Sequence, residues 1–464
     1  MPNKLHIDER QAAWKVLLPA RPENRILALG CCAEILCSLR RSFDCVDTLP
    51  VAGGKYAIVV LDCRSINCPS LRDLDSGTDI ETLIVCLNAD RQIKKKLKAT
   101  GHCYVSHYAA LPAAKPRIYI PLNTGRLRTK GLSFHSPGSL KARAGLLIAR
   151  TLSSMGIKSH LMRNAVSIFS ASEKISGGNS LVGWISGKIG YGISDLVVYA
   201  GSESERRKIT ALAIAEKGGA DVVVKIADTA AGAEAVRQES AALDALESTS
   251  LSFQVPKLLF EEEWNGYVIQ GQRAFSEDSR LQDACLTDAH FTFLAELSVL
   301  DRKFVSFRST QFFQDLKRKL ESIPADSLQP SVARAWYGVL KKNFADRKVL
   351  CHRIHGDFAP WNIRRQENGL FVYDWEDSLP EGLASTDALR FVYRQADLVG
   401  PWPGSATMLE KLREVGTRCF SEIDCVERED YEKYLLAWLV KEYAENRSDR
   451  VAKMIEHVAS EMQL

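Results

Sequence analysis

Several things are missing from this chain, and each absence narrows its function. No apolar run approaches the ~20 residues that span a bilayer; runs such as Tyr56–Leu61 and Leu83–Leu87 are strand-length. The opening residues Met1–Leu18 are charged too early and too often to supply the apolar core of a secretory signal. No tight CxxC pair suggests a zinc site, although eight of the 12 cysteines fall between Cys31 and Cys103. They read as small buried hydrophobes in a reduced, cytoplasmic protein. Net charge is also scant, at +4 over 464 residues, which argues against a dedicated nucleic-acid binder or a polybasic membrane protein. Internal repeats and low-complexity tracts are absent as well.

What is present is ordinary globular composition, 46% hydrophobic and 25% charged, enough for two to three domains at roughly 150 residues each. From 1 to 130, short apolar strands at Arg25–Leu29, Tyr56–Leu61 and Leu83–Leu87 alternate with helical segments such as Ala33–Arg41. That pattern predicts a parallel sheet with helices on its faces. Residues 131–179 read as a basic helix around Leu140–Met155 and a Gly/Ser-rich linker, Ser170–Asn179. From about 180 to 464, strands come first and helices follow, which predicts an α+β domain.

The strongest chemical signal is His355-Gly356-Asp357-Phe358-Ala359-Pro360-Trp361-Asn362, with Asp374 twelve residues after Asn362. Between them, Asn368-Gly369 suits a type I′ hairpin turn, so the chain folds back and returns Asp374 beside Asn362. Two carboxylates and an amide oxygen then share a small volume. Magnesium takes one or two hard oxygen ligands from protein and the rest from phosphate, a role for Asn362 and Asp374. Asp357 is placed to orient an acceptor hydroxyl and take its proton. The spacing is that of the catalytic loop and metal-binding Asp of protein kinases.

Upstream, Asp221–Ile226 is a β-branched strand carrying Lys225, and a helix from Ala235 to Leu246 carries Glu239. A lysine in an apolar strand needs an anionic partner. Glu239 and the phosphates of ATP would supply one.

These segments resemble the aminoglycoside phosphotransferase and choline kinase family over about residues 180–464, in HGDFAPWN, in VYDWED and in Asp387-Ala388-Leu389, where that family often carries a further structural Asp. The resemblance implies a two-lobed protein-kinase-like α+β domain, with an N-lobe over 180–271 and a helical C-lobe over 272–464. It also implies ATP- and Mg2+-dependent phosphorylation of a small-molecule hydroxyl. Asp357 is then the base, Asn362 and Asp374 bind the metal, Lys225 and Glu239 secure the nucleotide, and His355 braces the loop.

The phosphate-covering loop is read at Gly201, Ser202 and Ser204, between strands at Asp195–Ala200 and Lys208–Glu216. The alternative is Gly187-Lys188-Ile189-Gly190-Tyr191-Gly192. The backbone from Ile269 to Gly271 is read as meeting adenine. The region before 130 resembles, in outline, the Rossmann-like sheet of class I S-adenosylmethionine methyltransferases. Only one glycine follows its first strand, in Gly30-Cys31-Cys32-Ala33-Glu34, so it is read as a smaller, degenerate α/β domain. Docking of a protein partner, dimerisation or substrate delivery is its expected role. From Ser421 to Leu464, eleven acidic and six basic residues read as an ordinary solvated face. The chain runs from Asp374 to Glu381-Gly382-Leu383 with no Ala-Pro-Glu anchor, which favours a small acceptor over a protein. A nucleotide-binding regulatory module without turnover is the alternative reading.

Overall fold

Runs of Ile, Val and Leu, which suit a buried pleated surface, form most strands of the computed structural model. It describes residues 9–19, 23–51, 53–64, 82–112, 115–134, 147–153, 164–171, 180–201, 204–249, 251–275, 280–281, 285–321, 329–367, 369–421 and 428–463. The chain divides into two compact units, residues 1–237 with 258–274, and residues 238–257 with 275–464.

The first unit is built on one twelve-stranded sheet. Its strands are β1 (Arg25–Leu29), β2 (Cys45–Asp47), β3 (Ile58–Asp62), β4 (Leu83–Leu87), β5 (Cys103–Leu111), β6 (Ile118–Pro121), β7 (Asn164–Ser170), β8 (Ile193–Tyr199), β9 (Ile209–Ala215), β10 (Val222–Ala227), β11 (Leu258–Trp264) and β12 (Tyr267–Arg273). Their spatial order is β11-β12-β10-β9-β8-β6-β5-β7-β4-β3-β1-β2. The β2-β1-β3-β4 portion is parallel, as the alternating pattern predicts. Every residue of β3 and β4 is buried. Alternate side chains go to opposite faces: Ile58, Val60 and Val85 pack with Ile35 and Leu39 of α1 (Ala33–Ser42). Val59, Leu61 and Ile84 pack with Ile93 and Leu97 of α2 (Arg91–Ala99).

The α/β portion and the later strands share this sheet. β7, β5 and β6 add antiparallel to β4, and β6 pairs with β8 through Ile118↔Tyr199 and Tyr119↔Val198. The segments expected at 1–130 and 180–271 thus lie in one compact unit, apart from residues 238–257, which fall in the second. A buried ion network reinforces the join. Asp228, just after β10, receives Lys15 at 2.8 Å from the N-terminal segment and Arg207 at 2.9 Å from the start of β9. Burial alone would raise the Asp228 carboxyl, but the two cations outweigh it and hold it below its ordinary value. After α3 (Gly125–Phe134), α4 (Leu181–Ile189) ends at Gly190 in the left-handed region at φ 79°. The Gly187–Gly192 alternative is therefore a helix terminus, not a loop between two strands.

The helix α5 (Ala230–Glu247) leads into the second unit. That unit has two three-stranded sheets. One joins β13 (Arg280–Leu281), β16 (Ile363–Gln366) and β17 (Gly369–Val372); the other joins β14 (Lys303–Ser306), β15 (Lys348–Ile354) and β18 (Leu379–Leu383). Its helices are α6 (Asp288–Ser298), α7 (Gln311–Glu321), α8 (Gln329–Phe344), α9 (Thr386–Leu398), α10 (Ser405–Cys419), α11 (Arg428–Asn446) and α12 (Asp449–Glu461). They enclose an apolar core that includes Leu350, Tyr393, Leu412, Leu435 and Ile455. Among the described residues, no helix is long and apolar enough to cross a membrane.

Candidate active site

The apolar strand β15 enters the core and ends at Ile354, which puts His355-Gly356-Asp357 at its mouth. Gly356 has φ 84°, and a Cβ there would lie 2.0 Å from the Asp377 carbonyl oxygen, so only glycine lets the loop lie this close. The loop is held from below by Asp387, in the first turn of α9. Its carboxylate accepts the backbone N–H of His355 at 2.7 Å and of Gly356 at 2.9 Å. Burial pushes the Asp387 carboxyl up, while His355 and the two N–H bonds pull it down; the net direction is up.

His355 is fully buried and spent on structure. Its Nδ1 accepts the Asp357 N–H at 3.2 Å, which makes the ring the Nε2-protonated tautomer, and Nε2 donates to the Tyr373 carbonyl at 3.0 Å. The expected brace role matches this geometry, since both nitrogens are engaged.

Asn362 Nδ2 donates to the Asp357 carbonyl and to Asp357 Oδ2, both at 2.9 Å. A hairpin forms, but in a different register: Ile363 pairs with Val372 and Gln366 with Gly369, so Gly369 is a strand residue and not the second residue of the turn, while Asn368 itself lies outside the described residues. Tyr373 N donates to the Asn362 carbonyl at 3.0 Å, so the chain delivers Asp374 one residue beyond Asn362's partner. Asp374 is left-handed at φ 69°, ψ 59°, and starts the turn Trp375–Asp377. Glu239 is fully buried and accepts the Trp375 N–H at 3.3 Å, beside Asp374. Tyr373 donates its hydroxyl to the Trp361 carbonyl, closing the loop on the hairpin.

One neighbour of Asp357 escaped the sequence reading. Arg390 Nε lies 3.3 Å from Asp357 Oδ1. Burial would pull the Arg390 guanidinium down, but Asp357, Glu442, Glu445 and Asp377 outweigh that and hold it above its ordinary value. The signal was available, since Arg390 follows Asp387 by three residues and shares its helix face.

The donor set suits a divalent cation. Both Asn362 amide hydrogen bonds use Nδ2, leaving Oδ1 for a metal, and Asp374 adds carboxylate oxygens. Among the described residues, no group of three or more His, Cys, Asp or Glu is placed to hold a metal alone.

The remaining expected residues lie in the first unit. Lys225 is buried on β10, a central strand, opposite Thr210 of β9 and Gln270 of β12. Gly201 follows β8 at φ 74°, where a Cβ would sit 2.2 Å from the Lys208 carbonyl oxygen. Ser204 is exposed in the turn before β9, and Ser202 lies outside the described residues. Ile269 and Gly271 differ from the expectation. They sit inside β12, flanked by β10 and β11 on both sides, because that strand continues to Arg273. Their backbone therefore faces neighbouring strands, not an open rim. A Gly271 Cβ would lie 2.3 Å from the Phe260 ring, so the glycine serves packing.

Residues 207–385 match the family model described as phosphotransferase enzyme family. The matched stretch includes Lys225, Asp357, Asn362 and Asp374, and it bears out the resemblance drawn from the HGDFAPWN and VYDWED segments and the kinase-like α+β class expected from it. A search of curated proteins finds no match. Among solved structures, the chain is similar to amicoumacin kinase hAmiN in complex with AMP-PNP, Ca2+ and Ami: 13% identity, TM-score 0.39, 57% of this chain and 87% of that one covered. It is similar to a thermostable mutant of aminoglycoside phosphotransferase APH(4)-Ia with ADP and hygromycin B, at 15% identity and TM-score 0.40, over 60% of this chain and 97% of that one. Choline kinase LicA from Streptococcus pneumoniae gives 16% identity and TM-score 0.39, over 60% of this chain and 96% of that one.

Proposed function

We propose that this chain is an ATP-dependent phosphotransferase acting on a hydroxyl of a small molecule: a sugar, an aminoglycoside-like compound or an amino alcohol. The observation that carries the reading is the loop itself. Asp357 is bonded to Asn362, and Asn362 is bonded through its carbonyl to the residue before Asp374.

In the reaction, the acceptor hydroxyl gives its proton to the Asp357 carboxylate as its oxygen bonds to the γ-phosphorus. The bond from that phosphorus to the bridging oxygen breaks, and ADP leaves. Arg390 and Asn362 fix the Asp357 carboxylate so that it meets the hydroxyl without reorganising. Magnesium, held by Asn362 and Asp374 with phosphate oxygens, would neutralise charge on the transferring group. Lys225, Glu239 and the loop of Gly201, Ser202 and Ser204 are proposed to secure the nucleotide phosphates. Residues 180–271 and 272–464 are proposed to be the nucleotide-side and acceptor-side portions of the enzyme. The α/β portion before residue 130 is proposed to dock a partner or a second copy.

The test is transfer of labelled γ-phosphate from magnesium-ATP to a panel of sugars, aminoglycosides and amino alcohols. Transfer to one class names the acceptor. Magnesium-dependent ATP binding without transfer to any of them supports the silent regulatory module instead. Absence of nucleotide binding overturns both.

A further inference from the structure

Among the described residues of the first unit, the buried or partly buried carboxylates Asp62, Asp221 and Asp228 pair with cations, Asp62 with Arg64 at 3.1 Å, while Asp195 does not. Asp228 receives Lys15 and Arg207, and Asp221 receives Lys130 at 2.6 Å. Asp195, only 5% exposed at the start of β8, has neutral donors instead. Its Oδ1 accepts the Tyr108 hydroxyl at 2.6 Å and the Leu196 N–H at 2.8 Å, and its Oδ2 accepts Asn123 Nδ2 at 3.3 Å. Among the described residues, no Lys, Arg or His forms an ion pair with it. Buried charge is normally paired, because removing a carboxylate from water costs several kcal/mol.

The place of the missing cation is a cavity. Asp195, Tyr108 and Asn123 line a space of about 180 Å3 whose apolar walls include Leu17, Leu83 and Ile168. A single water needs about 10–15 Å3 on this measure, so the space is far larger than a one-water site. Asp195 and Tyr108 are its only titratable lining residues among those described. One charged oxygen pair at a partly apolar cavity is the ordinary form of a small-ligand site.

We propose that this cavity binds a small organic ammonium ion, with its charge on Asp195 and its hydrocarbon part against Leu17, Leu83 and Ile168. The ammonium supplies the counter-charge that the protein withholds, and Tyr108 and Asn123 fix the carboxylate to receive it. The site lies within the first unit and does not depend on the phosphotransfer reading.

The test is calorimetric titration of the full chain with n-butylammonium and cyclohexylammonium, against butan-1-ol and cyclohexanol. We expect saturable binding of at least one amine, with its alcohol weaker by about tenfold or more. Asp195→Asn keeps the shape, removes the charge and should lose the preference. Ser194→Phe keeps the charge, fills the cavity from β8 and should lose binding altogether; it carries the test if the Asn variant does not fold. Binding of neither amine, equal binding of amine and alcohol, or amine binding unchanged in a folded variant overturns the proposal.

Discussion

Replacing Asp387 by Ala should unfasten the loop His355–Asp357. The carboxylate is 2% exposed and accepts two backbone N–H groups, from His355 at 2.7 Å and Gly356 at 2.9 Å. A hydrogen bond to a charged partner contributes about 1.5–3 kcal/mol, and removing the acceptor strands a buried donor. Two such bonds give a loss of about 3–6 kcal/mol, a large share of the 5–15 kcal/mol typical of a domain. Asp387→Asn should recover less than half, because its amide NH2 faces an N–H where an acceptor is needed. Urea unfolding followed by tryptophan fluorescence measures both, since the Trp375 ring lies 4.6 Å from that of His355. Phosphate transfer should fall with stability, as His355 and Asp357 lose their support. A loss under about 1 kcal/mol, or full recovery by Asn, would refute the reasoning.

Other substitutions probe separate points. Gly356→Ala forces a left-handed Ala whose Cβ meets the Asp377 carbonyl, and should cost about 2–5 kcal/mol in the same urea assay. Arg390→Ala frees the Asp357 carboxylate and should lower kcat about tenfold with little change in KM for ATP, read from initial rates. Burial pushes the Asp195 carboxyl up from 3.8 to about 6. The unfolded chain therefore releases this proton first, and stability should fall as pH rises from about 4 to 6, by up to about 3 kcal/mol. Asp195→Asn should flatten that part of a Tm-versus-pH curve. His290 runs the other way: burial pushes it down from 6.5 to about 4, so the stability it contributes is complete above 6.5 and drains away as pH falls toward 4. His290→Gln should remove that slope, measured by hydrogen exchange in α6.

Local chemistry carried most of what was legible in the sequence. The strands Arg25–Leu29 and Leu83–Leu87 form where their apolar runs stand, and a hairpin forms after Asn362, although Gln366 pairs with Gly369 where a turn centred on Asn368-Gly369 would pair Glu367 with Leu370. The contacts among Asp357, Asn362 and His355 follow from short spacings on one loop. Non-local features were not legible. β6 meets β8 through only two residue pairs across some 70 residues of chain, and no spacing rule foretells such a seam. Gln270, Gly271 and Gln272 look like a strand terminus, yet all three are buried between neighbouring strands. Asp195 read as an ordinary first residue of a strand; its isolation from cations depends on side chains from four distant segments.

In the proposed reaction Asp357 accepts the hydroxyl proton. Single-turnover transfer by Asp357→Asn, alongside its affinity for magnesium-ATP, tests this most directly. Transfer should fall by about 10²–10⁴-fold while affinity stays near that of the unaltered chain. Transfer at the unaltered rate, with affinity intact, would contradict it.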